Sequence, residues 1–146
     1  MKTAIIYMST HHNNTKKIVD AMKEEIKIDI CTVEEAKNKD FSFYDCVGFG
    51  SGIYYHKFHD SILKLAEEIE LNENQKIFTF YTCGINYLNY ARGIEKIIKS
   101  KKCQYVGCFS CRGYDTFGIF GRIGGIAKNH PNQEDFNKAK NFIKKV

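Results

Sequence analysis

A chain of 146 residues that is 43% hydrophobic and 27% charged, with one proline, has enough apolar surface to bury a core and none of the bias of a disordered or fibrous sequence. Lysine and arginine number 22 against 17 aspartate and glutamate, and the formal charge of +5 points to acidic rather than basic partners. The excess is spread over lysine-rich helix faces such as IEKIIKSKK and KAKNFIKKV, with no base-stacking or base-reading module beside it, so no nucleic-acid partner is expected.

Residues 2–8, KTAIIYM, predict a buried first strand, and residues 15–25 follow as a helix with Ile18, Val19 and Met22 on one face. IKIDIC, residues 26–31, alternates Ile26, Ile28 and Ile30 as a second strand. A polar stretch with a short helix or turn leads to CVGFGS, residues 46–51, the third. Residues 60–69 place Ile62, Leu65, Ala66 and Ile69 at helical spacing. KIFTFYT, residues 76–82, predicts a fourth strand, residues 88–99 a helix carrying Ile94, Ile97 and Ile98, and CQYVGCFSC, residues 103–111, a fifth strand. After a long polar, glycine-bearing segment, Pro131 stops what precedes it and Asn132 is placed to cap a last helix. Glu134 and Asp135 suit its first turn, and Phe136, Ala139 and Ile143 form its inner face.

Strands alternating with helices mean a parallel sheet covered on both faces, and right-handed crossovers leave few ways to connect it. The expected fold is α/β: an open, doubly wound, five-stranded sheet in a three-layer sandwich, one domain over residues 1–146. Ligands of such sheets bind beyond the C-terminal strand ends, where strand order reverses.

No stretch approaches the roughly 20 apolar residues that span a bilayer. TAIIYM, behind Met1 and Lys2, is too short for a signal-peptide core and has no cleavage site after it. A cytoplasmic chain without membrane insertion is expected, with Cys31, Cys46, Cys83, Cys103, Cys108 and Cys111 free and mostly buried. Cys108 and Cys111 spell C-x-x-C, but residues i and i+3 of a strand face opposite sides, which suits neither a redox pair nor a zinc site.

The first strand-end turn, Ser9, Thr10, His11, His12, Asn13, Asn14 and Thr15, gathers hydroxyls, carboxamides and backbone N–H groups at a helix N-terminus without an acid among them. That is chemistry for a phosphate; an ordinary loop capped by Asn14 or Thr15 is the alternative. Adjacent histidine side chains diverge and no third ligand is marked, so no metal is expected. The second turn, GSGIYYHKF, residues 50–58, has glycines that let backbone approach a ligand, then tyrosines able to cover a flat ring. A surface hairpin, the alternative, fits the tyrosines poorly. The third, TCGINYLNYARG, residues 82–93, repeats the formula with Gly84, Tyr87 and Tyr90, and its Cys83 has no neighbouring base or cation to activate it.

The first turn resembles the phosphate loop of the flavodoxin family, of the type S/T-x-T-G-N-T. Ser9, Asn14 and Thr15 match its ends, while the loop is one residue longer and carries histidines at its centre. The second and third turns are similar to the family's two ring-binding loops. The fourth, CRGYDTFGIFGRIGGIAKNHPNQEDF, residues 111–136, resembles small flavodoxin-like proteins with a C-x-G-[FY]-D-T stretch and an N-x-x-E-D helix start.

The resemblance implies the strand order 2-1-3-4-5 and flavin mononucleotide (FMN) held non-covalently. It puts the first turn at the phosphate and places Ser51, Gly52, Ile53, Tyr54, Tyr55, Thr82, Cys83, Gly84, Tyr87, Cys111, Arg112 and Gly113 around the cofactor. Gly52 is the implied peptide that turns its carbonyl toward flavin N5. The implied function is electron transfer between redox partner proteins, acidic ones given the charge, slowing as salt rises. The alternative is an FMN-dependent oxidoreductase of a quinone, porphyrin precursor or similar small molecule, with residues 114–129 forming its pocket. A basic chain without tryptophan departs from the acidic family pattern and is expected to have a less negative potential. A third class, a binding module for another phosphate ligand, remains, but a phosphoacceptor receiver needs acids where this chain has Met8, Ser9 and Thr10.

Overall fold

The computed structural model describes residues 1–10, 12–116 and 118–146. In chain order the elements are β1 (Thr3–Met8), α1 (Asn14–Lys23), β2 (Ile28–Cys31), α2 (Val33–Lys37), β3 (Cys46–Tyr54), β4 (Lys57–Phe58), α3 (Asp60–Glu68), β5 (Lys76–Cys83), α4 (Arg92–Ser100), β6 (Gln104–Arg112), α5 (Ile119–Arg122) and α6 (Gln133–Lys145). The sheet runs β2-β1-β3-β5-β6 with every neighbour in that series parallel.

The expected five strands are thus all present in the expected order, and the sheet has a sixth: β4 folds back antiparallel on β3, pairing Ile53 with Phe58 and Tyr54 with Lys57. Two residues cannot display a period, so the pattern in the sequence did not mark it.

Alternation along the strands divides the core. Ala4, Ile6, Val47, Phe49 and Ile77 face α2, α3 and α4, packing on Val33, Ile62, Leu65, Ile94 and Ile98. Ile5, Phe78, Phe80 and Phe109 face α1 and α6, packing on Ile18, Val19, Met22, Ala139 and Ile143. The glycines of CVGFGS fit this second layer by lacking side chains. A Cβ on Gly48 would fall 2.2 Å from the Phe78 ring, and one on Gly50 would fall 2.1 Å from that of Phe80.

Asn132 caps α6 as expected: its side chain accepts from the Asp135 N–H at 3.0 Å, and Asp135 accepts from the Asn132 N–H at 2.8 Å. α4 begins later than expected, at Arg92, because Asn89 turns its side-chain oxygen onto the Ala91 N–H at 3.0 Å and ends a loop there. Cys108 is exposed and Cys111 buried, on opposite faces of β6. Among the described residues no helix is long and apolar enough to cross a membrane.

Candidate functional site

The loops after β1, β3, β5 and β6 meet at one edge of the sheet. Between them is a recess lined by Ser9, Thr10, Asn14, Thr15, Gly52, Ile53, Tyr54, Thr82, Cys83, Gly84, Gly113, Tyr114 and Asp115. His11 lies outside the described residues. His12 and Asn13 both have left-handed backbone, with φ of 53° each, and so bring the chain sharply into α1. Asn13 is the N-cap without a side-chain cap bond, and the first turn of α1 contains no acid. The first helical bond runs from the Lys17 N–H to the Asn13 carbonyl at 3.0 Å, so the N–H groups ahead of it are those that helix geometry leaves for a ligand.

Side chains tie this loop to its neighbours. The buried Thr15 and Thr82 hydroxyls are 3.0 Å apart, joining α1 to the end of β5. Asn14 Nδ2 donates to the Tyr114 carbonyl at 2.8 Å, and His12 Nε2 lies 2.9 Å from Thr116 Oγ1 with its ring 4.1 Å from that of Tyr114. The Thr10 and Tyr54 hydroxyls bond across the mouth of the recess. Among the described residues, Ser9 Oγ and Asn14 Oδ1 are buried with no hydrogen-bond partner. An unpaired hydroxyl beside a helix N-terminus free of acids is fitted to an anion.

A wider cleft of about 410 Å³ opens beside the recess and shares Ile53, Cys83, Gly84 and Asp115 with it. Tyr55 (79% exposed) and Tyr87 (64% exposed) stand at this cleft, whose other walls come from His56, Ile85, Tyr90, Ile119 and Phe120. Two tyrosine hydroxyls hold the loop after β5: Tyr81 donates to the Leu88 carbonyl at 3.2 Å and Tyr90 to that of Ile85 at 3.1 Å. Burial raises both phenol pKa values. Cys83 Sγ, between recess and cleft, lies 3.7 Å from the Cys111 carbonyl, and burial pushes its pKa up to about 12, so it is a neutral thiol.

The loop after β3 is the hairpin that the tyrosines spoke against. Tyr55 and His56 form its two-residue turn with φ of 49° and 65°. Gly52 belongs to β3 itself, opposite Thr82, and its carbonyl accepts from Ser51 Oγ at 2.6 Å. Ser51 is buried beneath the site and also accepts from the His59 N–H at 3.0 Å.

Of the remaining candidates, Cys111 points into the core under α1 and α6, away from the recess. Arg112 bridges two loops, its Nε donating to the Gly84 carbonyl at 2.8 Å. Gly113 presses on the first loop so closely that a Cβ there would fall 2.6 Å from Asn14 Nδ2. The sequence marks Asp115 only as part of the C-x-G-[FY]-D-T stretch and Phe120 only as part of residues 114–129, the expected substrate pocket, without a role for either. His56 has no signal beyond its place in the turn after β3.

The family model for the flavodoxin domain matches residues 4–122. The chain belongs to the flavodoxin family. A relative of uncharacterised function from Methanocaldococcus jannaschii is 41% identical over 148 residues, covering 100% of this flavodoxin-family chain and 98% of its own length. Among solved structures, the Trp repressor binding protein from Bacillus subtilis superposes with a TM-score of 0.72 at 11% identity over 99% of each chain. The Fusobacterium nucleatum flavodoxin bound to flavin mononucleotide does so with a TM-score of 0.66 at 18% identity, over 99% of this chain and 96% of that one. At these identities the structural likenesses establish a shared fold.

Proposed function

We propose that this flavodoxin-family chain binds FMN non-covalently as one domain and carries electrons between redox partners. The observation that carries the proposal is the pairing of a hydroxyl-bearing recess at the N-terminus of α1, whose first turn has no acid, with a tyrosine-edged apolar cleft beside it.

FMN has an anionic end and a flat end, and the residues present fit both. The orphaned Ser9 hydroxyl is a donor for a phosphate oxygen, and Thr10, Thr15 and the first N–H groups of α1 complete a donor set. Gly84 and Gly113 let the loops after β5 and β6 close on their neighbours, since a Cβ on either would fall 2.6 Å from a side chain, that of Asp115 or of Asn14. Ile53, Tyr55 and Tyr87 supply apolar faces for the ring. Bound there, FMN supplies one- and two-electron chemistry. The protein's part is to hold the phosphate, exclude water with its tyrosines, and keep the neutral Cys83 thiol from reacting.

Purified protein should be yellow and release FMN on denaturation, and the stripped chain should quench added FMN fluorescence at one equivalent. A colourless chain that takes up no FMN refutes the proposal.

A second reading is favoured by the reach of the cleft to Ile119 and Phe120, in the segment expected to form a substrate pocket. In that reading the chain reduces a quinone, porphyrin precursor or similar small molecule itself. Steady-state consumption of a nicotinamide or a quinone without a second protein separates an oxidoreductase from a carrier.

A further inference from the structure

A second cavity of about 390 Å³ opens beside the recess and shares Ser9 with it. The ring cleft is built by the loops after β3, β5 and β6, whereas this cavity is built by the end of β1, the junction of β2 with α2, and α3. Met8, Val33 and Leu65 give it apolar walls, and its volume falls within the roughly 300 to 1,000 Å³ of small-molecule sites. Thr32 and Ser61 add hydroxyls. Thr32 Oγ1 accepts from the Glu35 N–H at 3.2 Å and keeps its own proton to donate. His59 Nδ1 accepts the Ser61 N–H at 3.1 Å, so Ser61 Oγ, 2.7 Å from the same nitrogen, donates there and keeps its lone pairs to accept. The charges along the cavity cancel: Glu34 is paired with Lys37 at 2.7 Å and Glu68 with Lys64 at 4.0 Å. Of the acids close by, Glu35 is turned onto the Thr32 N–H at 2.8 Å and Asp60 onto Lys57 at 2.9 Å.

A neutral, partly apolar cavity with a donor and an acceptor suits a flat heterocycle with polar edges, and its place in the fold says which one. Doubly wound sheets lay dinucleotides across the crevice where strand order reverses, with one nucleoside on either side of the phosphates at a helix N-terminus. Here the order reverses between β1 and β3, the recess lies at the start of α1, the ring cleft adjoins it through Ile53, Cys83 and Gly84, and the second cavity adjoins it through Ser9. In that arrangement an acid about 20 residues after the helix start accepts from the ribose hydroxyls. Glu34 comes 20 residues after Asn14, the first residue of α1, and lines the cavity.

We propose that the second cavity takes the adenosine of a flavin dinucleotide, so that the chain binds FAD as well as FMN, with the pyrophosphate in the recess and Glu34 on the ribose. The inference rests on the FMN reading above for the recess and the cleft, and adds the adenosine half. That half brings no extra charge to balance, since a pyrophosphate diester and a terminal phosphate monoester each carry about two negative charges near pH 7. Ser9, whose buried hydroxyl has no partner among the described residues, stands where the two halves join.

The test titrates chain stripped of flavin with FMN and with FAD in a calorimeter, and FMN-loaded chain with AMP. The expected result is FAD binding at one equivalent, at least about tenfold tighter than FMN, because Glu34 and the cavity hydroxyls add hydrogen bonds. Glu34→Ala should weaken FAD binding about tenfold and leave FMN binding as it was; the Glu34 side chain is 81% exposed, so the fold does not depend on it. Ser61→Trp fills the cavity and should bring FAD to the affinity of FMN or below it, again with FMN unchanged. FMN-loaded chain should bind no AMP, because the recess is then taken. FAD that binds no tighter than FMN overturns the proposal, as does undiminished FAD binding by E34A or by S61W. Uptake of AMP by FMN-loaded chain also overturns it, by showing a site for a separate adenine nucleotide. If FAD binds as expected and FMN does not, the FMN reading fails and the adenosine cavity stands; if FMN binds and FAD does not, the reverse holds.

Discussion

Ser51 Oγ donates to the carbonyl of Gly52, its own neighbour, at 2.6 Å, while accepting from the His59 N–H at 3.0 Å. One buried hydroxyl therefore joins the end of β3 to the start of α3 across the hairpin. Ser51→Ala leaves both backbone groups short of a partner. It should cost about 1 to 3 kcal/mol, read from the urea midpoint at unchanged m-value.

Tyr55 and His56 occupy left-handed backbone that costs an ordinary residue about 1 to 2 kcal/mol and that two-residue hairpins usually give to Asn-Gly. His56→Gly removes the Cβ penalty but also removes a ring stacked 6.0 Å from that of Tyr90. The expected balance is a gain of about 1 kcal/mol in stability, seen as a higher Tm, together with weaker FMN binding from a loosened cleft wall. A lower Tm would show that the His56 ring stabilises the turn by more than its backbone costs.

Two glycines give opposite expectations. Gly113→Ala puts a Cβ 2.6 Å from Asn14 Nδ2 and displaces that side chain from the Tyr114 carbonyl, so FMN dissociation should rise at least about tenfold by fluorescence titration, in the range of one buried hydrogen bond lost. Gly93 lies inside α4 with nothing within 4 Å of the place an added Cβ would take, and Gly93→Ala should stabilise by about 0.8 to 1 kcal/mol without touching FMN affinity.

The layers were legible because long amphipathic helices and apolar strands declare their periods: Ile18, Val19 and Met22, or Ile94 and Ile98, could face only a core. The hairpin was not. Tyr55 and His56 are poor turn formers, held left-handed by pairing of Ile53 with Phe58, a tertiary effect that local propensity cannot display. Asp115 was visible in the C-x-G-[FY]-D-T stretch, but its place between recess and cleft was not, because it depends on an isolated antiparallel bridge to Ile126 within a long polar segment. The first loop was readable at its ends, Ser9, Asn14 and Thr15, since hydroxyls and amides ahead of a helix have a general chemistry. His12 was named in that turn, but its contacts were not readable, because its partners Tyr114 and Thr116 lie about a hundred residues away.

Burial raises the thiols of Cys46 and Cys83 from 9.0 to about 12, and that of Cys111 further. A folded pKa above the unfolded one means that the folded state keeps a proton which the unfolded state releases. The stability due to these thiols is therefore complete below pH 9.0 and declines as pH rises toward about 12. The slope is about 1.4 kcal/mol per pH unit for each thiol. Urea midpoints should fall between pH 9 and 11, and Cys46→Ala should make the fall shallower. A midpoint independent of pH in that window would show that these thiols ionise in the folded chain.

Asp115 lines both the recess and the cleft, and its charge acts on Cys83, which lies between them. It is an acid in a site that the basic composition led us to expect to be short of negative charge. A carboxylate there opposes the gain of an electron by whatever is bound, so it offsets part of the less negative potential expected from the chain's overall charge. Asp115→Asn keeps the shape and removes the charge. At the effective dielectric of a partly exposed site, one charge several ångströms away is worth about 1 kcal/mol, or about 40 mV for one electron. The potential of the FMN-loaded variant should therefore rise by a few tens of millivolts in an anaerobic redox titration. Its FMN affinity should also rise, because the same carboxylate repels the phosphate. A potential that stays fixed while affinity rises would place Asp115 at the phosphate alone, and a fall in both would mean that its hydrogen bonds, not its charge, dominate.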